Sequence, residues 1–317
     1  MSASTASGWR YAMLRRMRVL ATLSALGLFL PAPLSLLPAG SASVIVWVFD
    51  LAAHWQWLFV PTTAIGAGLA SLADRRWALL LPLLALPWLT ASALLPAANG
   101  GTPGLSIASA NVHFDNQNVA PLARWLAQEQ PDLVVVLEVA PIYAQGLMAL
   151  DDYPHRHIVP QDNPFGIAVL SRHPLSGVRT VRDADGIPHI EALLTWQGRQ
   201  IRLIAVHPMP PISAAFAASR DRQLAAWATS ADRQPTLLAG DLNATPWSSA
   251  FNGLDKLGLR RATGLAPTWP FALQALSGIP IDHVLASHHW QRIDSARGPD
   301  LGSDHAPVLA RLALNER

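Results

Sequence analysis

Thr236-Leu237-Leu238-Ala239-Gly240-Asp241-Leu242-Asn243 is an apolar run of strand length, closed by a glycine, with an acid and an amide directly beyond it. The layout recurs at five other places. Asn111 follows the run 105–110, Glu138 ends Leu-Val-Val-Val-Leu, and His207 ends 201–206. Asp282-His283 opens the run 281–286, and Asp304-His305 precedes 307–312. One polar residue at one strand end is ordinary surface. Six of them point to strand ends that converge on a ligand, as they do in α/β folds.

Around this stretch, apolar runs predict strands at 105–110, 133–137, 167–171, 190–196, 201–207, 236–240, 281–286 and 307–312. Helical patterns predict helices at 120–129, 141–150, 214–229 and 248–257. Strand–helix alternation with some adjacent strands predicts a mixed α/β domain over 105–317. Pro96-Ala-Ala-Asn-Gly-Gly-Thr-Pro-Gly104 predicts a linker at 97–104.

Half of the 317 residues are apolar (51%) and 14% are charged, too apolar for a disordered chain or an ordinary soluble enzyme. Three apolar stretches, 19–37, 44–72 and 77–95, precede the linker. Roughly 20 apolar residues cross a bilayer, so 1–96 is expected to be a membrane region with about three transmembrane helices. Pro31 and Pro33 should kink the first at its outer end. Asp50, His54 and Gln56 shift the spanning part of the second toward its later half. Trp47, Trp55, Trp57, Trp77 and Trp88 include several that suit interfacial anchors. An alternative reading makes 10–37, followed by Ser41-Ala42-Ser43, a cleaved signal peptide. Arg10, Arg15, Arg16 and Arg18 precede the first stretch, and Arg75-Arg76 divide the second from the third. Arginines near segment ends resist translocation, which expects a multi-pass protein of the cytoplasmic membrane of a bacterium-like cell, with everything from 97 on outside.

The basic excess belongs to this N-terminal third, where six Arg face only Asp50 and Asp74. Residues 101–317 carry 17 basic and 19 acidic residues, a net of −2, so that domain has no positive field for capturing polyanions. Cysteine is absent, which excludes disulfide frameworks, zinc–thiolate sites and cysteine nucleophiles. Oxygen donors without cysteine select Mg²⁺, Mn²⁺ or Ca²⁺. Histidines with carboxylate partners supply an acid and a base near neutral pH. Together they fit hydrolysis of a phosphate ester.

The runs Ser-Ala-Asn111-Val, Val-Val-Leu-Glu138, Phe-Gly-Ile-Ala-Val-Leu-Ser171-Arg172, Ala-Val-His207-Pro and Leu-Ala-Gly240-Asp241-Leu-Asn243-Ala-Thr-Pro-Trp247 occur in that order. Thr268-Trp269-Pro, Ile281-Asp282-His283-Val-Leu and Gly302-Ser303-Asp304-His305-Ala-Pro follow. The series resembles the endonuclease/exonuclease/phosphatase superfamily, which contains pancreatic-type deoxyribonuclease, apurinic endonucleases, neutral sphingomyelinases and inositol-polyphosphate 5-phosphatases. It covers 105–313 and leaves the N-terminal third outside.

The resemblance implies a four-layer α/β/β/α sandwich with its site at the strand ends and a divalent cation, Mg or Mn. Glu138 would be the main metal ligand, with Asn111 beside it and Asp304 near the metal. Asp241 and Asn243 would position the attacking water and a phosphate oxygen. His305 would be the general base or the phosphate-stabilising histidine, oriented by Asp282. His207 would serve as an acid on the leaving-group side, and Trp269 would touch substrate. His283 is read as a strand residue. His113 stands where apurinic endonucleases carry an Asp, and the inositol 5-phosphatase signature fails around Asp241 and Asp282. Trp247, Trp269, Phe271 and Met209-Pro210-Pro211 either form an apolar rim or pack internally. The expected function is an extracytoplasmic, membrane-anchored phosphodiesterase whose substrate partner is a lipid head group or nucleic acid. A nuclease, a phosphomonoesterase and an inactive binding module are the alternatives.

Overall fold

A run such as Leu-Val-Val-Val-Leu is apolar at every position because both of its faces are covered. The computed structural model, which describes residues 3–38, 40–98, 104–229, 231–273 and 277–315, bears this out. Strands β1 (Gly104–Asn111), β2 (Leu133–Leu137), β3 (His155–Val159), β4 (Ile167–Ser171), β5 (Leu175–Arg182) and β6 (Pro188–Trp196) are followed by β7 (Arg199–Val206), β8 (Thr236–Asp241), β9 (Leu259–Arg261), β10 (Asp282–Ser287), β11 (Trp290–Arg297) and β12 (Val308–Leu314). They form two six-stranded sheets, ordered β11-β12-β1-β2-β4-β3 and β5-β6-β7-β8-β10-β9.

The odd residues of β1 and β2, among them Ile107, Leu133, Val135 and Leu137, face Leu203, Ala205, Leu237 and Ala239 of the other sheet and make the central core. The even residues Ala108, Ala110, Val134 and Val136 pack outward under Trp125 and Leu126 of α6 (Ala120–Glu129) and Tyr143 and Leu147 of α7 (Pro141–Met148). On the other side, Ile204, Val206 and Leu238 meet Leu224 and Trp227 of α8 (Ala214–Ala228). The result is the expected four-layer α/β/β/α sandwich.

Two parallel pairs position the site. β1 pairs with β2 and β7 with β8 in parallel, and a parallel neighbour requires a crossover, supplied by α6 and by α8. The carboxyl ends of all four strands therefore lie along one rim. Gly240 is needed there, since a Cβ on it would lie 1.8 Å from the Val206 carbonyl oxygen.

Four strands escaped the sequence reading: β3, β5, β9 and β11. The predicted helix at 248–257 is a second correction. Only a single 3₁₀ turn, Ser249–Phe251, forms, followed by turns with Gly253 at φ +80° and Gly258 at φ +95°. The Ser248 hydroxyl accepts from the Ala250 N–H, the local bond that serines favour over helix propagation.

Before the sandwich, α1 (Ala3–Phe29) ends where Pro31 opens α2 (Pro31–Leu34). The helix Gly8–Leu34 is the one described helix long and apolar enough to cross a membrane, a description that a membrane anchor and a signal sequence both meet. The second apolar stretch is broken: α3 (Val44–Ala53) and α4 (Gln56–Ser71) meet at 68° and pass the same test only as a pair. The third is not one α-helix. It is a 3₁₀ helix, Arg75–Ala85, running into α5 (Leu86–Thr90), with Pro82 and Pro87 each removing a backbone donor.

Residues 92–98 then run extended along both sheet edges. Leu95 N–H donates to the Arg261 carbonyl of β9, and Ala98 N–H to the Arg292 carbonyl of β11. The start of the expected linker is thus pinned, and 99–103 lie outside the described residues.

Candidate active site

β1 ends on Asn111, and Glu138 follows directly on β2. Glu138 has φ +60°, a left-handed backbone that a non-glycine residue adopts at a cost. The Asn111 side-chain amide donates to Glu138 Oε1 at 2.9 Å, and the Phe114 N–H donates to Oε2 at 2.8 Å. Each carboxylate oxygen is oriented and keeps a lone pair free.

β8 delivers Asp241, its Oδ1 accepting from the Asn243 N–H at 2.8 Å. Asn243, also left-handed at φ +50°, donates its side-chain amide to the Pro208 carbonyl at 3.1 Å, next to His207. Asp241 Oδ2 stands 3.6 Å from His207 Nε2, 3.8 Å from His305 Nε2 and 3.4 Å from Asn111 Nδ2. One buried oxygen thus sits among two histidines and the Glu138-bound amide.

β10 pairs antiparallel with β8 and sets Asp282 opposite Asp241. Thr268 holds the start of β10: its hydroxyl accepts from the Ile281 N–H at 3.1 Å and the Asp282 N–H at 3.2 Å. Asp282 Oδ2 accepts from His305 Nδ1 at 2.9 Å, whereas its Oδ1 is buried without a partner. The next residue, Trp269, donates from its indole N–H to Asp304 Oδ2 at 2.9 Å.

Burial alone would lower the pKa of His305, but the Asp282 and Asp241 carboxylates overcome it and raise it to about 10. His305 is an imidazolium at neutral pH. Burial, with repulsion from Asp282, lifts Asp241 well above the usual carboxylate range. Burial pushes His207 down, so it stays neutral.

Glu138, His207, Asp241, Asn243, Trp269, Asp304 and His305 line one cavity of about 720 Å³. Asn111 and Asp282 stand behind this lining and hold it. All nine residues singled out in the sequence meet here. His283 does not: it is buried, with its Nε2 between the Ala244 and Pro280 carbonyls. Trp247 is also a packing residue, its indole N–H donating to the Pro87 carbonyl at 2.8 Å. Pro210 and Pro211 line the cavity, and so does Trp269.

Sequence reasoning missed the share of the lining that the N-terminal region supplies. Trp47 and Leu51 of α3, His54 and Trp55 at the α3–α4 break, together with Phe165 and Ile212, complete the cavity. The signal was present, in that Asp50, His54 and Gln56 interrupt an apolar run, where polar residues mark function or a partner. Asp50 is the partner case. Its Oδ1 accepts from the Ser249 N–H at 2.6 Å, and its Oδ2 from Ser248 Oγ at 2.9 Å and Arg220 at 3.4 Å. Buried Arg220 also bonds Asp221 at 2.8 Å and the Asn243 carbonyl at 2.6 Å, which ties this clasp to the site.

Four carboxylates, Glu138, Asp241, Asp282 and Asp304, face one cationic imidazole, and no Lys or Arg lines the cavity among the described residues. Asp241, Asp282 and His305 offer ligand atoms within 4.8 Å of one another. Such a surplus of negative oxygen donors fits a divalent cation.

A family model described as the Endonuclease/Exonuclease/phosphatase family matches residues 108–305. Among solved structures, an endonuclease/exonuclease/phosphatase from Beutenbergia cavernae is 22% identical with a TM-score of 0.56, covering 67% of this chain and 72% of that one. TDP2 of D. rerio, complexed with a single-strand DNA product, is 19% identical with a TM-score of 0.54, covering 66% and 98%. An AP endonuclease from Archaeoglobus fulgidus is 16% identical with a TM-score of 0.53, covering 65% and 98%. No curated protein matches the chain in sequence.

Proposed function

Because the chain belongs to the endonuclease/exonuclease/phosphatase family, whose members are metal-dependent phosphoester hydrolases, we propose that it is a membrane-anchored phosphodiesterase acting on lipid head groups outside the cytoplasm. The apolar part of the cavity lining carries this reading. A groove built for nucleic acid needs cations for phosphates. Here no Lys or Arg lines the cavity among the described residues, and Trp47, Leu51, Trp55, Pro210, Pro211 and Ile212 share the lining with the carboxylates. Val44, Ile45, Val48 and Phe49, on the outer side of α3, are exposed beside this wall, as is Ile212 at 71%. An apolar helix face of this kind lies in a bilayer interface, bringing the cavity mouth to the lipid.

The packing of the N-terminal rods supports the topology. Gly66 of α4 lies against the Met17 and Ala21 backbones of α1, and Gly27 against Phe59, so the two helices run antiparallel. The Arg18 guanidinium sits 5.9 Å over the Trp77 ring. Arg18 and Arg75-Arg76 therefore share one end. Contacts to the sandwich come from the other, through Leu34, Asp50, Trp57 and Pro87. The basic end is the cytoplasmic end, and the sandwich lies outside.

Glu138, with Asn111 beside it and Asp304 near the metal, would hold Mg²⁺ or Mn²⁺, which when bound neutralises phosphoryl oxygens. Asp241, flanked by His207 and His305, accepts the proton of the attacking water, a task its raised pKa suits. His305, kept protonated by Asp282, donates to a phosphoryl oxygen, which favours the stabilising role over the base. Neutral His207 supplies a hydrogen bond on the leaving-group side.

Screening the full chain in detergent micelles with Mg²⁺ or Mn²⁺ tests the reading. Phospholipid diesters are expected to turn over faster than single- or double-stranded DNA and faster than phosphomonoesters. Preferential cleavage of DNA by the same preparation would overturn the lipid assignment.

A further inference from the structure

His54 belongs to the N-terminal region, yet it lines the cavity of the catalytic acids. It is 4% exposed and sits at the break between α3 and α4, which bend by 68° and so turn its ring inward. Its Nδ1 lies 2.6 Å from the Asp50 carbonyl oxygen. A carbonyl only accepts, so Nδ1 carries the proton and the neutral ring has its lone pair on Nε2. Nε2 is buried and has no partner in the protein. A buried acceptor left unmatched costs about 1–3 kcal/mol, and at the edge of a substrate cavity a ligand can meet it.

We infer that His54 Nε2 accepts a hydrogen bond from a hydroxyl on the alcohol esterified to the phosphate, so that the N-terminal region selects polyol head groups. The inference deepens, and rests on, the lipid reading of the cavity. A hydroxyl fits better than an ammonium group. The nearest carboxylate, Asp50, is fully engaged by Ser248, Ser249 and Arg220, leaving no counter-charge on this wall. Trp47, Leu51 and Trp55 line the same cavity and make this part of it apolar, which makes the single polar contact selective.

The test compares two lipids with identical acyl chains in the same micelles, phosphatidylglycerol and phosphatidylpropanol, which lacks the head-group hydroxyls. Bis(p-nitrophenyl) phosphate serves as a soluble diester that reads the catalytic machinery alone. Wild type is expected to prefer phosphatidylglycerol about tenfold in kcat/KM, the scale of one buried hydrogen bond. His54→Phe should bring that ratio to about one by slowing phosphatidylglycerol while phosphatidylpropanol keeps its rate. If the phenylalanine variant fails to fold, seen as loss of the soluble activity, the smaller His54→Leu is read the same way. Equal use of both lipids by wild type, or an equal fall on both in the variant, overturns the role of His54 and leaves the lipid reading standing. Hydrolysis of the soluble diester with neither lipid cleaved overturns both.

Discussion

The protein buries carboxylates beside cations in two places, and they differ in how completely the charges are matched. In the clasp between the N-terminal region and the sandwich, both oxygens of Asp50 accept hydrogen bonds, and Arg220 donates to Asp50, Asp221 and a carbonyl. In the candidate active-site cavity, Asp282 keeps one oxygen without a partner, and Asp241 Oδ2 approaches two histidines at 3.6 and 3.8 Å, too far for good hydrogen bonds. A matched set of charges holds two parts of a protein together. An unmatched set facing a cavity has capacity left for a metal, a water and a phosphate.

The largest effect should come from the unmatched side. Glu138→Ala is expected to lower turnover by about 10³-fold or more, because a hard cation loses its best-oriented anionic ligand. Chelation should do the same to wild type, with Mg²⁺ or Mn²⁺ restoring the rate. Full activity after chelation would break the comparison at its centre. Asp282→Asn comes next. It keeps the shape but removes the charge that holds His305 protonated, for an expected loss of about 10²–10⁴ in turnover with a small change in stability. Turnover within about threefold of wild type would show that His305 does not depend on Asp282.

How much was legible in the sequence follows the same division between covered and open surfaces. The eight strands read from the sequence lie inside the two sheets, where most positions are buried and the runs are mostly apolar. The four missed strands, β3, β5, β9 and β11, are the four sheet edges. Their sequences, such as His-Arg-His-Ile-Val and Trp-Gln-Arg-Ile-Asp-Ser-Ala-Arg, carry the charges that discourage edge pairing and so hide the strand signal. The nine candidate residues that gather at one place in the structure were legible because each stands at a strand end or in a motif. Trp47, Leu51, His54 and Trp55 were not, since an apolar run reads as membrane whether or not part of it walls a cavity. That assignment needs the 68° bend, which no local pattern announces.

On the matched side the expected cost is in stability. Asp50→Ala leaves Arg220 buried with one carboxylate instead of two and orphans the Ser249 N–H, for about 3–5 kcal/mol. Turnover of a soluble diester by the folded fraction should stay within about threefold. A denaturation midpoint equal to wild type would mean that the two regions are joined by apolar contact alone.

The smallest effect sharpens the comparison, because it concerns a histidine one residue from Asp282 whose polar atoms are all matched. His283 is buried, with Nε2 donating between the Ala244 and Pro280 carbonyls and Nδ1 3.3 Å from Thr263 Oγ1. Burial, and then the Arg261 charge, push its pKa down to about 4. The ordinary value in the unfolded chain is 6.5. Between these two pH values the unfolded state binds a proton that the folded state does not. Stability must therefore fall as pH drops from 6.5 toward 4, and level off below, by about 3 kcal/mol in total from this residue. Denaturation curves of wild type and His283→Gln at pH 7 and pH 4.5 read the difference, since the glutamine variant lacks this part of the slope while every other titrating group stays. Its turnover at pH 7 should remain within a few-fold of wild type, because a histidine whose atoms are all satisfied has none to offer a substrate. Equal slopes in the two proteins would remove His283 from the matched set and return it to the candidates for chemistry.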